Sequence, residues 1–157
     1  MNTIRSSEDS SVRFAKLMAE LFYFMAEEAS VRFGEEGRAA VREAVRKFGL
    51  QRVADMKEEA KERGLDPNDP RTYPAVRDMP SNGWESDPKN PMVTTVCPMA
   101  EMWERFGERG RECGALYCEV DYTLFEGFGL TLDRPRCKTN GDVVCDFRVG
   151  LKTEGSK

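Results

Sequence analysis

The chain has 157 residues, 39% hydrophobic and 33% charged, which suits one compact globular domain spanning 1–157. A net charge of −4 argues against a nucleic-acid surface, and the basic residues are scattered among acidic ones with no polybasic membrane patch. No apolar run approaches a membrane span, and Met1 to Ser11 is polar without the apolar centre of a secretory signal, so disorder over 1–9 and a cytoplasmic protein with reduced thiols are expected.

Ser10 to Phe33 reads as one long helix: Val12, Ala15, Met18, Phe22, Met25 and Ala29 recur at steps of three and four, and Gly34 can end it. Leu21, Phe24 and Phe33 widen its apolar face, which suits deep packing or a homo-oligomer interface. Gly37 to Phe48 reads as a second helix broken by Gly49, and Leu50 to Arg63 as a third, with mixed charges on a solvated face. The segment 66–90 holds Pro67, Pro70, Pro74, Pro80 and Pro88 and reads as a proline-rich loop, with Trp84 either covering a pocket or anchoring the loop. Met92 to Val96 has strand character and leads into Cys97-Pro98; proline suits a first helical turn, so a helix over 98–106 with Cys97 at its N-cap is expected. A further helix over 110–125 stops before Gly127 and Gly129. Thr131 to Thr139 and Val143 to Leu151 then read as a β-hairpin around Asn140-Gly141. The fold expected is α+β: N-terminal helices packed with a small antiparallel sheet that ends in a C-terminal β-hairpin.

Five cysteines and no histidine narrow the chemistry. The commonest proton shuttle and metal ligand is missing, so reactive groups must be thiols, carboxylates, phenols or a thiolate-bound metal. Cys97, at a helix N-terminus, is expected to have a lowered pKa. Cys118, Asp121 and Tyr122 fall at offsets of three and four, on one helix face, and can supply a nucleophile and an acid/base pair. Asp121 sits among Leu116, Tyr117, Val120 and Leu124, where a carboxylate needs a partner. A two-residue turn would put Cys137 and Cys145 on opposite faces of the hairpin, whereas a three-residue loop would set them opposite one another. In the second case Cys118, Cys137 and Cys145 could share Zn²⁺; otherwise they are buried, unligated thiols.

Cys97-Pro98-Met99-Ala100-Glu101, Tyr117-Cys118-Glu119-Val120-Asp121, Phe125-Glu126-Gly127-Phe128 and the run from Asn140 to Arg148 resemble the L-2-amino-thiazoline-4-carboxylic acid hydrolase family, as does the helical run Gly37 to Gly64. One departure is Gly129-Leu130, where that family commonly has Asn-Pro. The last part is also similar to 4-vinyl reductase domains, a resemblance that implies zinc held by Cys118, Cys137 and Cys145; that family's acidic ligand is Arg134 here. The first resemblance implies hydrolytic opening of a small cyclic isothiourea. Cys118 and Asp121 would then be catalytic, Cys97 a competing nucleophile, Trp84 and Tyr122 substrate-binding, and no cofactor would be needed. The alternative is a small-molecule-binding or zinc-binding, sensor-like domain without catalysis.

Overall fold

A computed structural model describes residues 3–153. Helix α1 (Ser10–Glu62) starts where the Asp9 carboxylate caps Ser11 N–H at 2.9 Å, and Ile4, just before it, packs against the core. Of the segment expected to be disordered, Met1 and Asn2 lie outside the described residues. Gly34 breaks α1 at φ 59° and ψ −135°, a conformation side chains with a Cβ avoid, so the arms 10–33 and 35–62 leave in different directions.

Gly49 does not end a helix, and the two helices expected on either side of it are one arm. Its role is steric: a Cβ there would lie 2.9 Å from the Thr123 methyl, so the glycine lets α5 (Val120–Gly127) approach. The proline-rich segment is also more ordered than a loop. It carries a 3₁₀ turn at Pro70–Thr72, a short helix α2 (Tyr73–Val76) and strand β1 (Glu85–Asp87). The Asp69 carboxylate accepts from Arg71 N–H, which together with Pro70 starts the 3₁₀ turn.

Strand β2 (Asn90–Val96) and helix α3 (Pro98–Glu104) follow as expected, with the Cys97 sulfur accepting from Ala100 N–H at 3.4 Å. The next helix is two: α4 (Gly107–Cys118) and α5, separated at Glu119. The break has a visible cause. Arg134 Nη2 donates to the Cys118 carbonyl at 3.1 Å, and Tyr122 N–H, which would have reached that carbonyl, bonds instead to Glu119 O at 3.2 Å.

The C-terminal pairing is antiparallel but shorter than expected. β3 (Leu130–Asp133) pairs with β5 (Arg148–Leu151), Leu132 opposite Val149. Between them the chain leaves the ladder. Cys137 N–H bonds to the Asp142 carboxylate at 2.9 Å, Asn140 N–H bonds to Cys137 O at 2.8 Å, and the turn closes with Gly141 at φ 93°. β4 (Cys145–Asp146) then adds to β2, giving the antiparallel order β1-β2-β4.

The core lies between the arms of α1 and helices α3 to α5. Trp103 is its centre: Phe22 and Tyr117 pack on its ring, and its indole N–H donates to Ala19 O at 2.9 Å. No helix is long and apolar enough to cross a membrane among the described residues.

Candidate active site

A cavity of about 310 Å³ opens between the 77–84 segment, α3, the α4–α5 break and β4. Trp84, Met99, Trp103, Leu124 and Phe125 give it apolar walls. Cys97, Cys118, Asp121 and Cys145 all line it. Cys97 arrives from the α3 N-cap, Cys118 and Asp121 from either side of the helix break, and Cys145 from the edge strand that pairs with β2.

Asp121 Oδ2 accepts from Arg134 Nη1 at 2.6 Å. The Arg134 side chain is 7% exposed and that of Asp121 28%, the opening of the latter being into the cavity. Burial pushes the Asp121 carboxyl up from the ordinary 3.8 to about 6, against the pull of Arg134 and Arg52. Asp121 therefore changes charge just below neutrality.

The thiols behave as a group. Cys145 and Cys137 sulfurs lie 3.7 Å apart, and Cys137 is 3.1 Å from the Thr139 hydroxyl. Hydrogen bonds from Cys118, Cys145 and Thr139, with Arg134 nearby, pull the Cys137 thiol far below the usual range against the effect of burial. Cys118 and Cys145 are pushed up, chiefly because they donate to Cys137 and then because they are buried. The three thiols therefore titrate together, Cys137 pulled down and its two partners pushed up, with Cys118 standing between Cys137 and the cavity.

Cys97 departs from expectation. The Ala100 and Met99 amides and the Trp84 indole pull its pKa down, but burial outweighs them and the thiol is raised. Trp84 lies on the cavity wall. Tyr122 does not line this cavity; it is largely exposed beside Arg42 and Glu119, with the Arg134 guanidinium 5.3 Å over its ring. Cys137 is buried behind Cys118 and Cys145 and does not line the cavity either.

Among the described residues no group of three or more cysteines and carboxylates is placed to hold an ion, and the Arg134 guanidinium already faces Cys118, Cys137 and Asp121.

Several cavity residues were not singled out from the sequence. Arg52 binds Asp78 through two hydrogen bonds, at 2.6 and 2.7 Å, tying α1 to the 77–84 segment. Tyr73 lines the wall, and burial raises its phenol to about 12. The Tyr117 hydroxyl is buried in the wall without a hydrogen-bond partner among the described residues. Arg77 also lines the cavity, and among the described residues no carboxylate pairs with it. Nothing in the spacing of these residues marks them: the chain has 24 basic residues, and only the fold selects three arginines for one cavity.

An α+β chain with apolar walls, thiols and one carboxylate around a cavity of small-molecule size is built like a small-molecule site. The chain belongs to the L-2-amino-thiazoline-4-carboxylic acid hydrolase family, whose model matches residues 14–149. The family name is that of a hydrolase acting on an aminothiazoline carboxylate. No curated protein and no solved structure matches the chain.

Proposed function

We propose that this cavity opens a small cyclic isothiourea of the 2-aminothiazoline-4-carboxylate type by thiol catalysis. The observation that carries this reading is the convergence of Cys118 and Asp121 on one cavity, with the acidic Cys137 behind Cys118. Cys118 attacks the ring carbon between nitrogen and sulfur, and its proton passes to the Cys137 thiolate. The carbon–sulfur bond breaks and the ring sulfur leaves as a thiol after taking a proton, which leaves an isothiourea on Cys118. Water then adds to the same carbon, Asp121 takes its proton, and Cys118 departs, giving an N-carbamoyl-cysteine.

Ionised Asp121 also pairs with the amidinium that the substrate presents. Its Oδ2 is on Arg134, and Oδ1 takes no hydrogen bond among the described residues. Arg52 and Arg134 are already held by carboxylates, so Arg77 receives the substrate carboxylate, and the unpartnered Tyr117 hydroxyl donates to a polar substrate atom. Cys97 lines the same wall as a buried neutral thiol and is the second candidate nucleophile.

The test is release of free thiol from L-2-aminothiazoline-4-carboxylate. Cys118→Ser should lower turnover by about a hundredfold or more with the fold intact, and Cys97→Ala by much less. Full activity in Cys118→Ser would overturn the scheme. Tight substrate binding with no thiol release in the wild-type protein would favour a binding module.

A further inference from the structure

The first arm of α1 is apolar on two sides. One side buries Ala15, Ala19 and Ala26 and packs Met18, Phe22 and Tyr23 against the core. The arm also leaves large residues in solvent: Phe14, Leu17, Leu21, Phe24, Met25, Val31 and Phe33 are each between 48% and 73% exposed. Phe14, Leu17, Leu21 and Phe24 follow at steps of three, four and three, the spacing of a coiled-coil seam. Six of the seven exposed residues, all but Phe33, share one side of the helix; their exposed area is roughly 700 Å², larger than the apolar patch of a typical monomer and within the range one partner contributes to a stable interface.

We propose that this seam is the interface of a twofold homodimer in which the 10–33 arms pack antiparallel. In that register Leu17 meets Leu21 of the partner and Phe14 meets Phe24 of the partner, so each knob has an apolar counterpart. A parallel pairing would instead set Glu28, which continues the seam and is paired at 2.5 Å with Arg32 of its own helix, against its own copy. The antiparallel pairing carries Glu28 past the apolar overlap to the start of the partner helix. There it comes within reach of the Arg13 guanidinium, a charge of opposite sign. Glu20 and Glu27 flank the seam and are held within the chain by Arg105 and Arg109. A second copy therefore meets a neutral rim, while the net charge of −4 disfavours an anionic lipid surface.

Sedimentation velocity of the full chain over about a hundredfold range of concentration should give a species of twice the 17.8 kDa chain mass. Leu21→Glu, at a solvent-exposed site, should give a monomer with an unchanged circular dichroism spectrum; Phe24→Gln serves as a second variant should the first not fold. Glu28→Arg should weaken the dimer and Arg13→Glu/Glu28→Arg restore it. A wild-type monomer at every concentration, a monomer that instead associates with phosphatidylcholine vesicles, or an unchanged dimer in both seam variants would overturn the proposal. A double charge variant weaker than Glu28→Arg would overturn the antiparallel register.

Discussion

Asp121 shows how one residue ties activity to pH. With its carboxyl pushed to about 6, it is ionised at neutrality but protonates under mildly acidic conditions. If it holds the amidinium and activates water, kcat/KM should fall as pH drops through about 6, and Asp121→Asn should be slow at every pH, by about a hundredfold. A pH–rate profile flat from neutrality to well below 6 would remove Asp121 from the chemistry. Stability runs the other way. A carboxyl whose pKa is raised on folding contributes stability that is fully present below the ordinary 3.8 and is lost as pH rises through about 6. The site thus gains its working charge over the window in which that contribution to the fold disappears.

Cys137 and Arg77 make two further residue-scale predictions. Serine at 137 cannot hold the cluster's negative charge, so Cys137→Ser should lower kcat about tenfold or more, with partial recovery at alkaline pH as Cys118 ionises alone. An unchanged pH–rate profile in that variant would show that Cys137 only packs. Arg77→Gln should raise KM by about tenfold or more while kcat changes little, because a charge-assisted contact to the substrate carboxylate is lost from ground and transition states alike. A fall in kcat with KM unchanged would place the carboxylate elsewhere.

At the scale of elements, two glycines that look alike in the sequence do different work. Gly34 has open space around it but a backbone conformation that excludes other residues. Gly49 has ordinary helical geometry but no room, with Thr123 and Val120 against it. Gly34→Ala should cost about 1–3 kcal/mol through strain. Gly49→Leu should cost a similar amount through overpacking, while separating α5 from α1. Urea unfolding measures both, and a neutral Gly34→Ala would mean that the bend is not forced. Their difference also shows what the sequence could reveal. The period of apolar residues exposes α1 and α3, and Cys97-Pro98 marks a helix start. Whether a glycine stops a helix or admits a neighbour depends on contacts made by residues some seventy positions away. The same holds for the break at Glu119, caused by Arg134, and for the hairpin, where Asp142 takes Cys137 N–H and ends the ladder early. Cys97, Cys118, Asp121 and Cys145 could be picked out because thiols are few and a carboxylate among apolar neighbours is conspicuous. Arg52 and Arg77 could not, being two among many cations, and Arg134 stood out only as a departure from a related family's ligand.

Across the whole molecule, both tryptophans of the chain, Trp84 and Trp103, line the cavity, so its occupancy has a built-in reporter. Adding the aminothiazoline carboxylate to Cys118→Ser, which cannot turn it over in this scheme, should change the tryptophan fluorescence saturably. A flat titration at concentrations that support turnover in the wild-type protein would mean that the substrate binds elsewhere. The apolar seam lies on the same long helix whose other arm carries Arg52 to the cavity, so association and catalysis share one element.

The double grip of Arg134 has a consequence for how such a site can diversify. One guanidinium both holds the Cys118 carbonyl, which keeps α4 and α5 as separate helices, and supplies the positive charge beside Asp121 and the thiols. Shape and charge are therefore not separately adjustable here. A substitution that retuned the acidity of Asp121 by removing Arg134 would also free that carbonyl to accept from Tyr122, healing the helix and changing the spacing of Asp121 and Cys118 across it. New substrates are more easily accommodated at the wall contributed by the 77–84 segment, where Arg77 and Met79 reach the cavity from outside the α4–α5 break.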